Sequence, residues 1–137
     1  MKYLVYVTIA IFTFAVGVGI SPIRFYGEST ACGPRGSSAA YRSSYFIQTS
    51  FSYINYETEQ EAKDAFNERL KKAVKVIDLS PKVNKRGVLI EQRAVGIFYN
   101  EGTEKYYVQA FWRDEKTLYF ISSHSYTHVK EFERQHF

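Results

Sequence analysis

Only one cysteine, Cys32, occurs in the 137 residues. No intrachain disulfide can form, so the fold must hold by non-covalent interactions. Proline is nearly as scarce: Pro22 and Pro34 fall between Ser21 and Ser43, and Pro81 stands alone. Net charge is the third shortage. The formal charge is +4, yet from Ser44 onward 14 basic residues meet 13 acidic ones. The excess comes from Lys2, Arg24, Arg35 and Arg42 against Glu28. A folded part so near neutrality argues against nucleic-acid binding, and no nucleic-acid partner is expected.

Long apolar runs are also missing, with one exception. Tyr3–Ile20 is 18 residues without a charge, preceded only by Met1 and Lys2. That approaches the roughly 20 residues needed to cross a bilayer as a helix, and exceeds the usual apolar core of a signal peptide. Residues 1–20 are therefore expected to be a signal-anchor, with the membrane as a partner through residues 3–20. The expected location is the cell envelope, as a single-pass protein with an external C-terminal domain. A cleaved signal peptide, leaving a secreted protein, is the alternative. Residues 21–43 read as a flexible linker, rich in Ser, Gly and Pro and free of apolar periodicity.

What the rest of the chain has in quantity is aromatic residues, 18% of the total. Ser44–Tyr56 alternates Tyr45, Ile47, Thr49, Phe51 and Tyr53 against smaller or polar residues, as a strand does. The period then changes. Thr58 with Glu61 forms a capping box, and Ala62, Phe66, Leu70, Ala73 and Ile77 recur at helical spacing, which predicts one long helix over Glu59–Ile77. Beyond Pro81 come three β-rich runs between Val88 and Ser123. They are separated by the short polar breaks Asn100–Glu104 and Asp114–Lys116, the pattern of antiparallel hairpins. Ser125–Phe137 reads as a short closing helix with Val129 and Phe132 inward. The expected domain, residues 44–137, is α+β: a four-stranded, mostly antiparallel sheet packed on one long helix, in the order β-α-β-β-β-α, preceded by the N-terminal apolar helix.

Candidates for chemistry are few. His124, His128 and Glu131 would share one face of a continuous helix, and two imidazoles with a carboxylate can ligate zinc. They are weak metal candidates, because His124 stands where strand gives way to helix. No cofactor is expected. Ser122, Ser123 and Ser125 lie beside the histidines, but no glycine-framed nucleophile elbow surrounds them and no catalytic residue is assigned. Lys71, Lys72, Lys75, Lys82, Lys85 and Arg86 gather near the helix C-terminus. Cations there complement the helix dipole, and an anionic headgroup is the sharper alternative. The meander places Tyr107 and Phe111 on one face and Trp112 on the other, with Tyr119 beside them. Whichever set the helix leaves bare is a candidate interaction surface.

Gln92-Arg93-Ala94-Val95-Gly96 resembles the Gln-x-Val-x-Gly segment of cystatins, with Ala94 at the central position. Cystatins follow a similar order of strand, long helix and antiparallel sheet, and the resemblance implies protease inhibition. More broadly, the apolar start, the helix, Ser80–Val83 and Glu91–Val95 are similar to small bacterial envelope proteins of uncharacterised function, which implies a location and no activity. The function expected is a membrane-anchored or exported small interaction domain, non-enzymatic, with an unknown protein or small-molecule partner. The alternatives are a metal-dependent or hydrolytic enzyme centred on His124 and His128, and a cystatin-like protease inhibitor.

Overall fold

The computed structural model describes residues 23–137, so the apolar segment 3–20 lies outside the described residues. Among the described residues no helix is long and apolar enough to cross a membrane. In chain order the elements are β1 (Phe25–Cys32), β2 (Gly36–Ser43), β3 (Gln48–Asn55), α1 (Glu59–Lys72), β4 (Lys75–Asp78), β5 (Lys82–Val83), β6 (Leu89–Ile90), β7 (Arg93–Asn100), β8 (Lys105–Asp114), β9 (Thr117–Ser123) and α2 (Tyr126–His136).

The expected four-stranded sheet on one long helix is incorrect. Seven antiparallel strands form one sheet in the order β1-β2-β3-β9-β8-β7-β4, and β5 pairs with β6 separately. Two of the additional strands come from the span read as a linker, which folds as the β1–β2 hairpin at the sheet edge. Most of β1 is exposed on both faces, so no alternation of apolar and polar residues was needed to build it. Its neighbour β2 is held by β3 through a close approach. A Cβ added at Gly36 would stand 1.9 Å from the Tyr53 carbonyl oxygen, so only glycine fits there.

The third additional strand is cut from the helix. α1 starts as a capped helix should: Thr58 accepts from the Glu61 amide at 3.1 Å, and the Glu61 carboxylate accepts from the Glu57 amide at 3.4 Å. It stops at Lys72 rather than Ile77, and Val74 donates instead to the Ile97 carbonyl at 2.7 Å. Val74, Val76 and Ile77 are β-branched and favour the extended strand β4, which a helical count of apolar positions does not weigh. Gly96 lets this junction close on β7, because a Cβ there would meet Ala73 Cβ and the Lys75 carbonyl, each at 3.2 Å.

The two helices cover opposite faces of the sheet. α1 lays Phe66 on Ala94, Phe98, Phe111 and Leu118, with Leu70, Tyr107 and Phe120 half-buried at the margin. α2 lays Val129 and Phe132 on Val95, Val108, Ala110, Trp112 and Ile121. On this second face the aromatic packing continues outward: the Phe132 ring meets Phe25 of β1 at 4.9 Å, Tyr41 of β2 at 5.1 Å and Phe51 of β3 at 6.2 Å. A buried ion pair ties α2 down. Arg93, 8% exposed, donates through Nε and Nη2 to the two carboxylate oxygens of Glu133 at 2.8 and 2.6 Å, and through Nη1 to Asp78 at 3.2 Å. The hydrogen bonds that Arg93 donates to Glu133, acting against the cost of burial, raise the Arg93 pKa above its ordinary value.

Candidate functional site

The expected interaction surface is not an exposed aromatic patch. Phe111 is wholly buried beneath α1, Trp112 is buried beneath α2, and Tyr107 and Tyr119 are half-buried. Trp112 and Tyr119 stack on one another at 5.4 Å. The four residues are thus divided between two faces and serve mainly as core.

The metal candidates part in the same way. His124 is exposed at the end of β9, and its Nδ1 bonds the Tyr106 carbonyl at 2.8 Å. A carbonyl only accepts, so Nδ1 carries the proton and, in the neutral ring, Nε2 is an acceptor. His128 is 4% exposed, and Glu131 is engaged by Arg134. Among the described residues no group of three or more His, Cys, Asp or Glu is placed to hold a metal ion.

The surroundings of His128 define a packed junction. Ser43 Oγ accepts from the Tyr45 and Ile47 amides, each at 3.1 Å, which occupies its lone pairs and turns its proton to His128 Nε2 at 2.8 Å. Nδ1 then donates to Ser125 Oγ at 3.0 Å, the hydroxyl that caps α2. Ser43 is as buried as the ring, and this serine–imidazole pair joins β2 to α2. Burial lowers the His128 pKa from its ordinary value. The cystatin-like segment is also interior: Arg93–Gly96 lies in β7, paired with β8 on one side and β4 on the other, and is buried throughout.

A different place has the features of a site. The register sets three things side by side at one end of the sheet: the β2–β3 turn, the β7–β8 turn and the C-terminal end of β9. Here α1 does not reach, and a cleft of about 350 Å³ opens on the α1 side. Its floor is formed by Ser50, Ser122 and Gln109, consecutive partners across β3, β9 and β8. Gln48, Tyr107 and His124 stand around them, and Asn100 and Thr103 contribute from the β7–β8 turn. The lining contains amides, hydroxyls and one imidazole, and no carboxylate.

The bulky groups at this end are exposed. Phe46 at the tip of the β2–β3 turn is 80% exposed with a φ of 62°, and Tyr45, Tyr99 and Tyr106 are also exposed. A left-handed backbone is costly for phenylalanine, and an apolar ring in water adds no packing that offsets it. Strain of this kind gathers at functional sites. Sequence reading named Tyr107, Ser122, Ser123 and His124 but did not join them into this site, because the lining comes from four separate segments and Gln48, Ser50, Asn100, Thr103 and Gln109 look like ordinary solvated positions. The one available signal was the run Gln48, Ser50, Ser52 on one face of β3, too polar to lie under a helix. Compared with known proteins, the chain matches no family model, no curated sequence and no solved structure.

Proposed function

We propose that this chain is a non-enzymatic binding domain, presented at the cell envelope by residues 3–20 or released after their cleavage. Its ligand site is the polar cleft between the β2–β3 and β7–β8 turns. The observation that supports this reading is the unspent hydrogen-bonding capacity of the lining. Among the described residues the side chains of Gln48, Ser50 and Thr103 have no hydrogen-bond partner, and the Asn100 amide uses only its oxygen, for the Gly102 and Thr103 amides. Groups of this kind on a rigid sheet orient a small polar ligand with little ordering cost.

The test is a thermal-shift screen of the full chain against small polar compounds. A genuine ligand at a hundredfold excess over its Kd adds about 2.7 kcal/mol of stability. That gain should vanish in Ser50→Trp, which fills the cleft. A gain that survives Ser50→Trp would place the ligand elsewhere, and a screen without any stabilising compound would remove the reading. Carbonate extraction with protease protection on cells tests the anchoring: release of the intact chain into the supernatant would show that residues 3–20 do not hold it.

A further inference from the structure

Arg69 of α1 bonds two residues of the cleft lining and has no carboxylate within ion-pair distance among the described residues. Its guanidinium lies over the Phe98 ring at 3.8 Å and spends its hydrogen bonds on neutral acceptors. Nε donates to Gln109 Oε1 and Nη2 to Tyr107 Oη, both at 2.6 Å. Because a guanidinium has donors only, the Gln109 amide has one allowed orientation, with its oxygen on Arg69. Its Nε2 then donates to Ser122 Oγ at 2.8 Å. Ser122 is thereby an acceptor towards Gln109, and its own proton is left over. Tyr107, accepting from Arg69, is left with its proton in the same way.

Two hydrogen-bond chains therefore start at one cation, Arg69–Gln109–Ser122 and Arg69–Tyr107. Both end in hydroxyl protons at residues lining the same cleft, and neither proton has an acceptor among the described residues. Each link polarises the next, so the terminal protons are better donors than isolated hydroxyls. Ser50, across β9 from Gln109, adds a third hydroxyl. The carboxylates of the nearby turn, Glu101 and Glu104, are exposed and lie outside the lining. We infer that the cleft binds a small oxyanion, a carboxylate or a phosphate, held by the Tyr107 and Ser122 hydroxyls with Arg69 supplying the charge behind them. This rests on the binding reading above and names its ligand class.

Amide NMR spectra of the full chain, titrated with sodium acetate and with sodium phosphate, test the inference; glucose serves as the neutral probe and sodium chloride as the ionic-strength control. Acetate or phosphate should shift the Ser50, Gln109 and Ser122 amides saturably, and chloride should not. Tyr107→Phe and Ser122→Ala each remove a single oxygen, and dispersed spectra check that the fold is kept. Each should weaken binding about tenfold, the loss expected for one charge-assisted hydrogen bond. Arg69→Gln should weaken it at least as much. Oxyanion binding undiminished in both hydroxyl variants would overturn the inference, as would equal shifts from chloride. Saturation by glucose with no response to either oxyanion would overturn it while leaving the cleft a ligand site. Silence from all probes would remove both.

Discussion

On the face that α2 covers, aromatic rings run without a break from β1 to β8; on the face that α1 covers, the packed rings stop at β9. The strands are the same, so the difference lies in alternate residues. Phe25, Tyr41 and Phe51 point to α2 and give Phe132 a floor. Their neighbours on the other face are Ser38, Ala40, Ser50 and Ser52, paired across β2 and β3. A helix gains little by lying on serine, because there is scarcely any apolar area to remove from water. α1 is accordingly confined to β7, β8 and β9, and the rest of its face is left to solvent. One face spends its surface on stability, and the other has surface to spare for binding.

This contrast can be broken most directly at the buried ion pair, where the largest effect is expected. Arg93→Ala removes both charged hydrogen bonds to buried Glu133, leaving it only Lys82 Nζ at 3.7 Å, and should cost about 3–5 kcal/mol. Urea unfolding followed by Trp112, the single tryptophan and a buried one, measures it. A loss under about 1 kcal/mol would mean that α2 is held by its apolar contacts alone.

Next come the two faces themselves. Phe132→Ala empties a wholly buried position beneath four aromatic neighbours and should cost about 3–5 kcal/mol. Phe66→Ala, on the less extensive α1 interface, should fall near the lower end of the same range. Equal costs would contradict the unequal division of stability between faces.

Gly36→Ala examines the hairpin that extends the α2 face to β1. With the Tyr53 carbonyl in the way, the β2–β3 pairing must open locally, at a cost of about 1–3 kcal/mol. Unchanged stability would show that β1 and β2 contribute nothing to the core.

The junction of β2 with α2 should also respond to pH. His128 has a lowered pKa in the folded state, so between that value and its unfolded value, about 6.5, the unfolded chain binds more protons. The stability that neutral His128 brings is complete above about pH 6.5 and declines as the pH falls through that window. Melting at pH 7.5 and pH 5.5 should therefore differ more in the native chain than in His128→Gln. If the two chains lose stability equally on acidification, His128 is not the group responsible. The smallest effect belongs to the open face: Ser50→Ala should change stability by less than about 0.5 kcal/mol, since the serine supports nothing beneath it.

The capping box at Thr58, the hairpin breaks around Asn100–Glu104 and Asp114–Lys116, and the opposed faces of Tyr107 and Trp112 were legible in the residues. Each is a local matter, decided by side chains within a few positions of one another or by the strict alternation of a strand. The β1–β2 hairpin was not legible, because an exposed edge strand needs no apolar pattern and its pairing is chosen by β3. Nor was the division of Glu59–Ile77 into α1 and β4, where apolar spacing allows a helix and the open edge of β7 prefers a strand. The site depended most on tertiary structure. Arg69 and Gln109 are unremarkable polar residues in sequence, Tyr107 and Ser122 stood out there for other reasons, and a single charge comes to serve two hydroxyls only when α1, β8 and β9 are packed together. Short-range chemistry belongs to the sequence by itself; which distant polar groups share one cation is decided by the fold.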